Sequence, residues 1–339
     1  MRFFEFQRDA RGQTRRLLFW FAVMVLALVL LINAVLALAW TLTWGGAFGF
    51  PRHFFLVNTG VTLLFVLGGW WVETSNLQGG GVVLAQRLGA REARPSGNPD
   101  EQRFANVVQE LSIAAGMRAP QAMVLPREDG INAFATGWDV DDAVVAVTRG
   151  ALEGLTREEM QGLVAHELSH IREGDTRLNM RLAGMVFGLE MIYRLGQSLM
   201  APDEKGRRHL ATLLGVAIMA VGWLGWLAGH ALQAAVSRQR EFLADARAVQ
   251  WTRNREGLGR VLRKALGQSA GDDDSSSGMG NPLVQHMLLV SAERGRWGRW
   301  LDSHPPLTQR IERIYGGKMP ALQARAGRED LNDASSAAV

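Results

Sequence analysis

Two histidines and a glutamate, arranged as H-E-x-x-H, are the residues of this sequence best suited to bind a metal ion. The pattern is His166-Glu167-Leu168-Ser169-His170. Because one helical turn separates the two histidines, their imidazoles project from the same face of a helix. Two such imidazoles can bind one Zn²⁺, and the glutamate can take a proton from a water at that ion. A five-residue pattern also arises by chance, so the surrounding sequence must support a helix here.

The surrounding sequence predicts a helix over Leu155–Gly174. Thr156 followed by Glu159 is a capping-box pattern, which marks the start of a helix. Apolar residues then recur at helical spacing and give the helix a buried face. These residues are Met160, Leu163, Val164 and Ile171. Gly174 is a suitable C-terminal stop, so both histidines fall in the interior of the helix.

Glu241 is the best candidate for a third ligand, because a catalytic zinc site normally has three protein ligands. It lies in a second helical pattern, Ser237–Asp245. Asp245 follows one turn later on the same face, where its carboxylate can accept a hydrogen bond from the free ring N–H of a ligating histidine. E-x-x-x-D alone also fits a solvated, charged helix face, and the upstream H-E-x-x-H motif is what favours the metal site.

H-E-L-S-H and the later E-F-L-A-D, with a hydrophobic hairpin between them, resemble the motifs of the HtpX-like membrane zinc metallopeptidases, which are relatives of the CAAX prenyl-protein proteases. Four further segments resemble the family pattern in the same order. They are Asn132–Gly137, Val145–Gly150, Ile171–Asp175 and His304–Leu307 with Arg310. The resemblance covers roughly residues 15 to 315. It implies a mainly helical α+β membrane protein with two hydrophobic hairpins and a zincin-type, gluzincin-like catalytic domain that contains a small β-sheet.

The resemblance also implies roles for residues beyond the zinc ligands. Asp175 is implied as a second carboxylate that supports the ligating histidines. An edge strand is implied to pair with extended substrate through backbone hydrogen bonds, with an ordinary sheet edge as the alternative. That strand contains Asn132, Ala133, Phe134 and Ala135. His304 or Arg310 is implied to stabilise the developing oxyanion, and Arg310 has the advantage of staying protonated. His304 could instead occupy the open zinc position as a gate, or only form a helix-initiating turn.

The expected reaction is hydrolysis of peptide bonds, with one Zn²⁺ per chain held by His166, His170 and Glu241. Glu167 is expected to act as general base and then to deliver the proton to the leaving amine. A catalytically silent membrane scaffold or regulatory protein of the same fold is the alternative. Such a protein usually loses the base or a ligand, and all four residues are present here. A narrowly specific processing protease like the prenyl-protein relatives is disfavoured, because those proteins are larger.

Two hydrophobic runs precede the H-E-x-x-H motif. Leu17–Trp44 is almost wholly apolar and is longer than the ~30 Å hydrocarbon core of a bilayer requires. Phe54–Val72 is shorter, near the lower limit for spanning. A cleaved signal peptide is disfavoured for the first run, which is too long and lacks a small-residue cleavage site.

Two further hydrophobic runs lie between the two zinc motifs. Leu210–Val236 is a good spanning candidate. Leu182–Met200 is weaker, because it carries Glu190 and Arg194. It either spans the membrane while packed against its neighbours or lies on the surface as an amphipathic helix.

The basic residues predict the orientation in the membrane. Five arginines precede the first run and four lie between residues 87 and 103, whereas the intervening loop has only Arg52 and His53. By the positive-inside rule, the N-terminal tail and the catalytic domain are cytoplasmic, in a bacterial-type inner (plasma) membrane. The loop at residues 203–208 opposes this rule with three basic residues, partly offset by two acidic ones.

The composition narrows the choice of ligands and partners. The 339 residues include no cysteine, so a zinc site must use histidine and carboxylate, and disulfides are excluded. The sequence pI near 10.0 reflects arginine-rich flanks that suit anionic lipid head groups. No nucleic-acid motif is present. The expected partners are the lipid bilayer and protein or peptide substrates, including misfolded membrane proteins.

Seven segments are predicted along the chain. They are a basic cytoplasmic tail (1–16), a transmembrane hairpin (17–78), a linker (79–97), a first catalytic segment with the H-E-x-x-H helix (98–181), the second hydrophobic hairpin (182–236), a second catalytic segment with the third ligand (237–320) and a flexible tail (321–339). The linker begins with three glycines, and residues 271–278 are expected to form a loop or disordered insert. The first catalytic segment is expected to begin with a helix capped by Asn98 and to continue with three strands. These strands are Gln121–Leu125, Ile131–Ala135 and Ala143–Thr148.

Overall fold

The computed structural model of the chain describes residues 2–44, 48–201, 210–271, 289 and 304–323. The loop at 203–208, nearly all of the insert at 271–278 and most of the tail at 321–339 lie outside these residues. The described chain is mainly helical, with one small sheet, as the predicted fold class requires. Its helices are α1 (Arg2–Trp44), α2 (Phe54–Asn76), α3 (Gly80–Arg87), α4 (Pro99–Ala115), α5 (Arg149–Gly154), α6 (Arg157–Glu173), α7 (Asp175–Met200), α8 (Leu210–Thr252), α9 (Arg255–Gly271) and α10 (Leu307–Tyr315). Its strands are β1 (Arg91–Glu92), β2 (Gln121–Leu125), β3 (Ala133–Thr136) and β4 (Val144–Thr148).

The chain divides into two compact units, each made of two separate stretches. The first unit contains Met1–Gln78 and Arg181–Leu232, and the second contains Gly79–Met180 and Gln233–Val339. Helices α7 and α8 each begin in one unit and end in the other. We call the first the membrane unit and the second the catalytic unit.

The membrane unit has apolar side chains both inside and outside. Val66 and Leu189 are fully buried in its core, while Leu42 and Leu56 are about 70% exposed. A surface of this kind suits hydrocarbon rather than water. In the described portion of the chain, three helices are long and apolar enough to cross a membrane. They are Arg16–Trp44, Phe54–Arg87 and Thr212–Thr252.

Helix α7 is not among these three, yet its C-terminal half belongs to the core of the membrane unit. Met185, Leu189 and Ile192 pack there with residues of α1, α2 and α8. Small residues permit this packing, because a Cβ on Gly188 would come within 2.5 Å of the Val66 carbonyl oxygen. Two charged residues in this half of α7, Arg194 and Glu190, form an ion pair of 3.0 Å with each other.

The catalytic unit is built around a four-stranded sheet in the order β1-β2-β4-β3. β2 and β4 are parallel, and β3 pairs with β4 antiparallel, which leaves β3 at the edge. Helix α6 packs against the sheet through a core that includes Leu163, Leu168 and Val145. The sheet and core therefore fix the helix that carries the H-E-x-x-H motif.

Local sequence signals correctly predicted the start of α4 and both ends of α6. Asn98 accepts the Asp100 N–H at 2.9 Å, and Thr156 and Glu159 form the predicted capping box. Gly174 ends α6 with φ 74°. The edge strand differs from the prediction, since β3 begins at Ala133 rather than at residue 131. The reason is that the Thr148 hydroxyl accepts the Asn132 N–H at 3.0 Å, which takes the place of a backbone partner.

The segment predicted as a linker has regular secondary structure. Residues 79–97 contain α3 and β1. A Cβ on Gly81 would lie 2.6 Å from the Thr136 carbonyl oxygen, so α3 packs directly against the end of β3. The glycine run permits this close approach, and Gly80 has φ 80°, a backbone conformation that favours glycine.

Candidate metal centre

Three candidate ligands meet in the catalytic unit. His166 and His170 come from α6, and Glu241 comes from α8, 71 positions after His170 in the sequence. The two histidine Nε2 atoms are 3.2 Å apart. Glu241 Oε2 lies 3.5 Å from His166 Nε2, and Oε1 lies 3.4 Å from His170 Nε2. The three side chains thus converge on one point.

The separation of these atoms fits a zinc ion. Zn–N and Zn–O bonds of about 2.0–2.2 Å place neighbouring ligand atoms of a tetrahedral ion roughly 3.3–3.5 Å apart. The N–N separation of 3.2 Å and the shortest N–O separations of 3.4 and 3.5 Å, one to each Glu241 oxygen, lie close to this edge length. One ligand atom of each of the three residues lies within 4.8 Å of the other two, so the residues present fit a metal ion.

The second ring nitrogen of each histidine faces a carboxylate. His166 Nδ1 lies 3.1 Å from Asp245 Oδ1, and His170 Nδ1 lies 2.9 Å from Asp175 Oδ2. Carboxylates in this position fix the ring orientation and leave the Nε2 lone pair free for a metal. The structure therefore brings both predicted supporting carboxylates to the ligand cluster, one from α8 and one from the start of α7.

Glu167 lies beside the cluster with only 2% of its surface exposed. Burial raises the pKa of this carboxyl group, although the neighbouring histidines act against the rise. It lines a small cavity of about 10 Å³ together with His170, Ala135 and Arg240. A cavity of that size holds about one water molecule. A buried carboxyl with a raised pKa next to room for one water is the arrangement that a general base needs.

Arg310, from α10, is completely buried, at 0% exposure. Its Nε and Nη2 donate to the two Asp245 oxygens at 2.9 and 2.7 Å, and Nη1 lies 3.1 Å from Glu241 Oε2. Burial alone would lower the pKa of Arg310, but these carboxylates outweigh it and raise the pKa. Nη1 also donates to the Leu289 carbonyl at 3.0 Å. The guanidinium thus binds the carboxylates that hold the cluster and does not line the cavity beside Glu167.

His304 also lies at the cluster, with 9% exposure. Its Nδ1 is 3.2 Å from Glu241 Oε1. Neither ring nitrogen has a hydrogen-bond partner among the described residues. A plain helix-initiating turn does not explain two buried, unbonded nitrogens beside a ligand, because buried polar atoms are normally bonded.

The predicted substrate-binding strand lies next to the cluster. Asn132, Ala133, Phe134 and Ala135 are all buried, and Ala135 lines the cavity beside Glu167. Leu289 was not predicted there, yet its N–H donates to the Ala133 carbonyl at 2.9 Å. No local pattern could reveal this contact, since 156 positions separate the two residues in the sequence.

Comparisons with known proteins agree with the site. Residues 98–317 match the family described as Peptidase family M48. A protein named "Protease HtpX homolog" from Streptococcus gordonii is 31% identical over 270 residues, which cover 75% of this chain and 85% of that protein. Its namesake from Streptococcus uberis is 31% identical over 297 residues, 84% of this chain and 95% of that protein.

A solved structure titled "Crystal Structure of S. mikatae Ste24p" has a TM-score of 0.40 and 15% sequence identity, covering 90% of this chain and 65% of that chain. A likeness that weak carries no argument. The family match, by contrast, contains every residue of the ligand cluster, from His166 to Arg310.

Proposed function

The chain belongs to peptidase family M48 and is a membrane-associated metallopeptidase, and we propose that Zn²⁺ is its metal and that His166, His170 and Glu241 bind it. The observation that carries the proposal is the convergence of the two histidine Nε2 atoms and the Glu241 carboxylate, whose nearest N–N and N–O separations are 3.2 to 3.5 Å. Asp245 and Asp175 orient the two imidazoles from behind.

Glu167 is the proposed general base. When bound, zinc would lower the pKa of a water and polarise the scissile carbonyl. The Glu167 carboxylate accepts the proton of the attacking water in the small cavity and then passes it to the leaving amine. The burial of Glu167 supports this role, since it raises the pKa of the carboxyl group toward the pH at which the enzyme works.

His304 and Arg310 are proposed to have different roles. Arg310 acts through Asp245 and Glu241, whose negative charges it balances inside the unit. His304 is then the candidate for the donor to the developing oxyanion, because its ring nitrogens lie at the ligand cluster and have no hydrogen-bond partner in the described part of the chain. A gate at the open metal position is the other role that this location permits.

The proposed setting is the cytoplasmic face of a bacterial-type inner membrane. The distribution of arginines around the first two runs supports this orientation, and the three membrane-capable helices support embedding of the first unit. The proposed substrates are protein and peptide segments, including those of misfolded membrane proteins, which would give the enzyme a role in membrane-protein quality control. Extended segments would pair with the edge strand β3.

One comparison tests the proposal against a silent scaffold of the same fold. Purified wild-type protein is expected to hold about one zinc per chain and to cleave casein in a chelator-sensitive manner. Glu167→Gln is expected to keep its zinc and lose turnover, because only the base is removed. Equal cleavage by both proteins would refute the assigned base. Zinc binding without any cleavage by the wild type would favour the scaffold.

A proteomic comparison of membrane fractions that contain one or the other protein would then identify substrates. Membrane proteins that accumulate only with Glu167→Gln are the expected result for a quality-control enzyme.

A further inference from the structure

The edge strand β3 offers only two residues to a partner outside the sheet. The Thr148 N–H donates to the Asn132 carbonyl at 3.1 Å, so Asn132 points its backbone groups toward β4. In an antiparallel pair the direction alternates, and the register pairs Ala133 with Val147 and Ala135 with Val145. The backbone N–H and C=O groups of Ala133 and Ala135 therefore point to the free edge.

Both groups of Ala133 are already bonded within the protein. Its N–H donates to the Asn132 side-chain oxygen at 3.0 Å. Its carbonyl accepts the Leu289 N–H at 2.9 Å. A peptide that came to this position would find neither a free donor nor a free acceptor.

Leu289 is held in place on three sides. Its side chain is 1% exposed and belongs to the hydrophobic core of the catalytic unit. Its carbonyl accepts a charge-assisted hydrogen bond from Arg310, which is itself fully buried. Displacing Leu289 would expose a core side chain and would leave a buried guanidinium donor unbonded.

Ala135 is in the opposite situation. No described residue bonds its outward N–H or C=O, and it lines the cavity that Glu167 and His170 also line. Among the described residues, the edge position left without a backbone partner is thus the one beside the proposed base.

We infer that Leu289 is a specificity-determining residue that restricts backbone pairing of the substrate to Ala135. The inference rests on the proposed peptidase function of this site. A bound peptide forms two backbone hydrogen bonds with Ala135. It forms no further backbone hydrogen bonds with the edge strand on the Ala133 side. One substrate N–H, and only one, is required for strand pairing, whichever direction the peptide runs. The choice of substrate then depends little on the peptide residues that extend past Ala133.

The test is an N-methyl scan of a cleaved peptide. Each backbone N–H of the peptide, except that of the scissile bond, is replaced in turn by N–CH₃, and kcat/KM is measured with the zinc-loaded, full-length enzyme. We expect one position to lower kcat/KM about tenfold or more, and the others to stay within roughly twofold, given a hydrogen bond of about 1.4 kcal/mol. Two sensitive positions spaced two residues apart would overturn the inference, because a peptide would then pair at Ala133 and displace Leu289.

Variants of Leu289 provide the matched control. Leu289→Pro removes the N–H and is expected to create a second sensitive position, two residues from the first. Leu289→Ala keeps the N–H and is expected to retain the single position. Zinc content and thermal unfolding are measured for both variants. If Leu289→Pro does not fold, the wild-type scan decides the matter alone. Absence of zinc-dependent cleavage of the unmethylated peptide would instead refute the proposed function, and the inference with it.

Discussion

At the scale of single residues, the centre contains buried charges of opposite sign in direct contact. Glu241 and Asp245 carry two negative charges in the protein interior, and Arg310 contacts both. Removing one partner from such a group costs more than the pair contributes, because it leaves an uncompensated buried charge. Arg310 also reaches His166 Nε2 at 3.4 Å, so its influence extends to a ligand. Loss of Arg310 should therefore lower the affinity for the metal as well as the turnover rate.

Arg310→Ala is expected to weaken zinc binding roughly 10- to 100-fold, as loss of a group that orients ligands does. Competition with a chromogenic chelator measures the affinity, and a single peptide substrate gives kcat at saturating zinc. If Arg310 were the oxyanion donor, zinc affinity would be unchanged and kcat would fall on the order of 10²–10³. That result would contradict the positioning role.

His304→Ala is the matched comparison, since His304 touches the same Glu241 carboxylate. We expect normal zinc content and a fall in kcat on the order of 10²–10³, because an oxyanion donor is lost. Unchanged or higher activity would instead identify His304 as a gate at the metal.

At the scale of elements, the position of α6 depends on a close crossing with α9. A Cβ on Gly162 would lie 2.6 Å from the Gly257 carbonyl carbon, and one on Gly257 would lie 2.7 Å from the Glu158 carbonyl oxygen. Each helix thus has a glycine where the other's backbone passes. Since α6 carries two of the proposed ligands and the proposed base, this crossing helps to position the candidate metal centre.

Gly162→Ala is expected to lower the melting temperature by several degrees and to reduce zinc retention, because overpacking of this kind costs about 1–3 kcal/mol. Gly154→Ala is the control, as its Cβ would meet only the Ile131 side chain at 3.6 Å. Thermal unfolding in detergent, followed with zinc analysis, distinguishes the two. Equal melting temperatures for both variants would show that the crossing tolerates a methyl group.

The first turn of α4 gives a pH-dependent contribution to stability. Glu101 accepts hydrogen bonds from Arg91 at 2.6 and 2.9 Å and from the Arg94 N–H at 2.6 Å. The Arg91 hydrogen bond lowers the pKa of Glu101. Its stabilisation is therefore fully present above the ordinary glutamate pKa, and it is lost as the pH falls through the lowered value.

Glu101→Gln is accordingly expected to reduce the melting temperature at pH 7 and to differ progressively less from wild type below pH ~4. The difference between the two proteins at each pH is the quantity to measure, because acid-driven metal loss affects both. A difference that stays constant down to pH 3 would rule out a contribution from the Glu101 charge.

At the scale of elements, the sequence predicted the helix ends that local signals encode. The capping box at Thr156, the Asn98 cap and the Gly174 stop each involve residues within a few positions of one another, and all three are present. The convergence of His166, Glu241 and Asp245 was predicted from the need of a catalytic zinc site for a third ligand and from the motif resemblance, since no local rule gives it. The crossing at Gly162 and the Leu289 bond to Ala133 were not predicted. Both depend on contacts between distant segments, where the residue types carry no distinctive signal.

At the scale of the whole molecule, both units are discontinuous in sequence. The membrane unit takes its helices from before and after the H-E-x-x-H helix, and the catalytic unit takes its ligands from before and after the second membrane stretch. The expected orientation still rests on the arginine distribution.

Single-cysteine labelling tests that orientation directly, because the chain has no cysteine of its own. Pro51→Cys is expected to react with a membrane-impermeant maleimide in intact spheroplasts, and Ser96→Cys only after permeabilisation. Both positions are exposed in the structure. The reverse pattern would place the catalytic unit outside and overturn the charge argument.

The discontinuity of the catalytic unit also has a consequence for biosynthesis. A nascent chain that has emerged as far as Met180 contains both histidines and the base, but neither Glu241 nor Arg310. At about 5–20 residues per second, synthesis from there to Glu241 takes several seconds, and the second membrane stretch is made in that interval. The proposed ligand set is complete only after the ribosome has produced that stretch. A chain that stops before Glu241 therefore lacks one of the proposed zinc ligands, and the order of the polypeptide itself delays assembly of the proposed metal site until the helices of that stretch have been made.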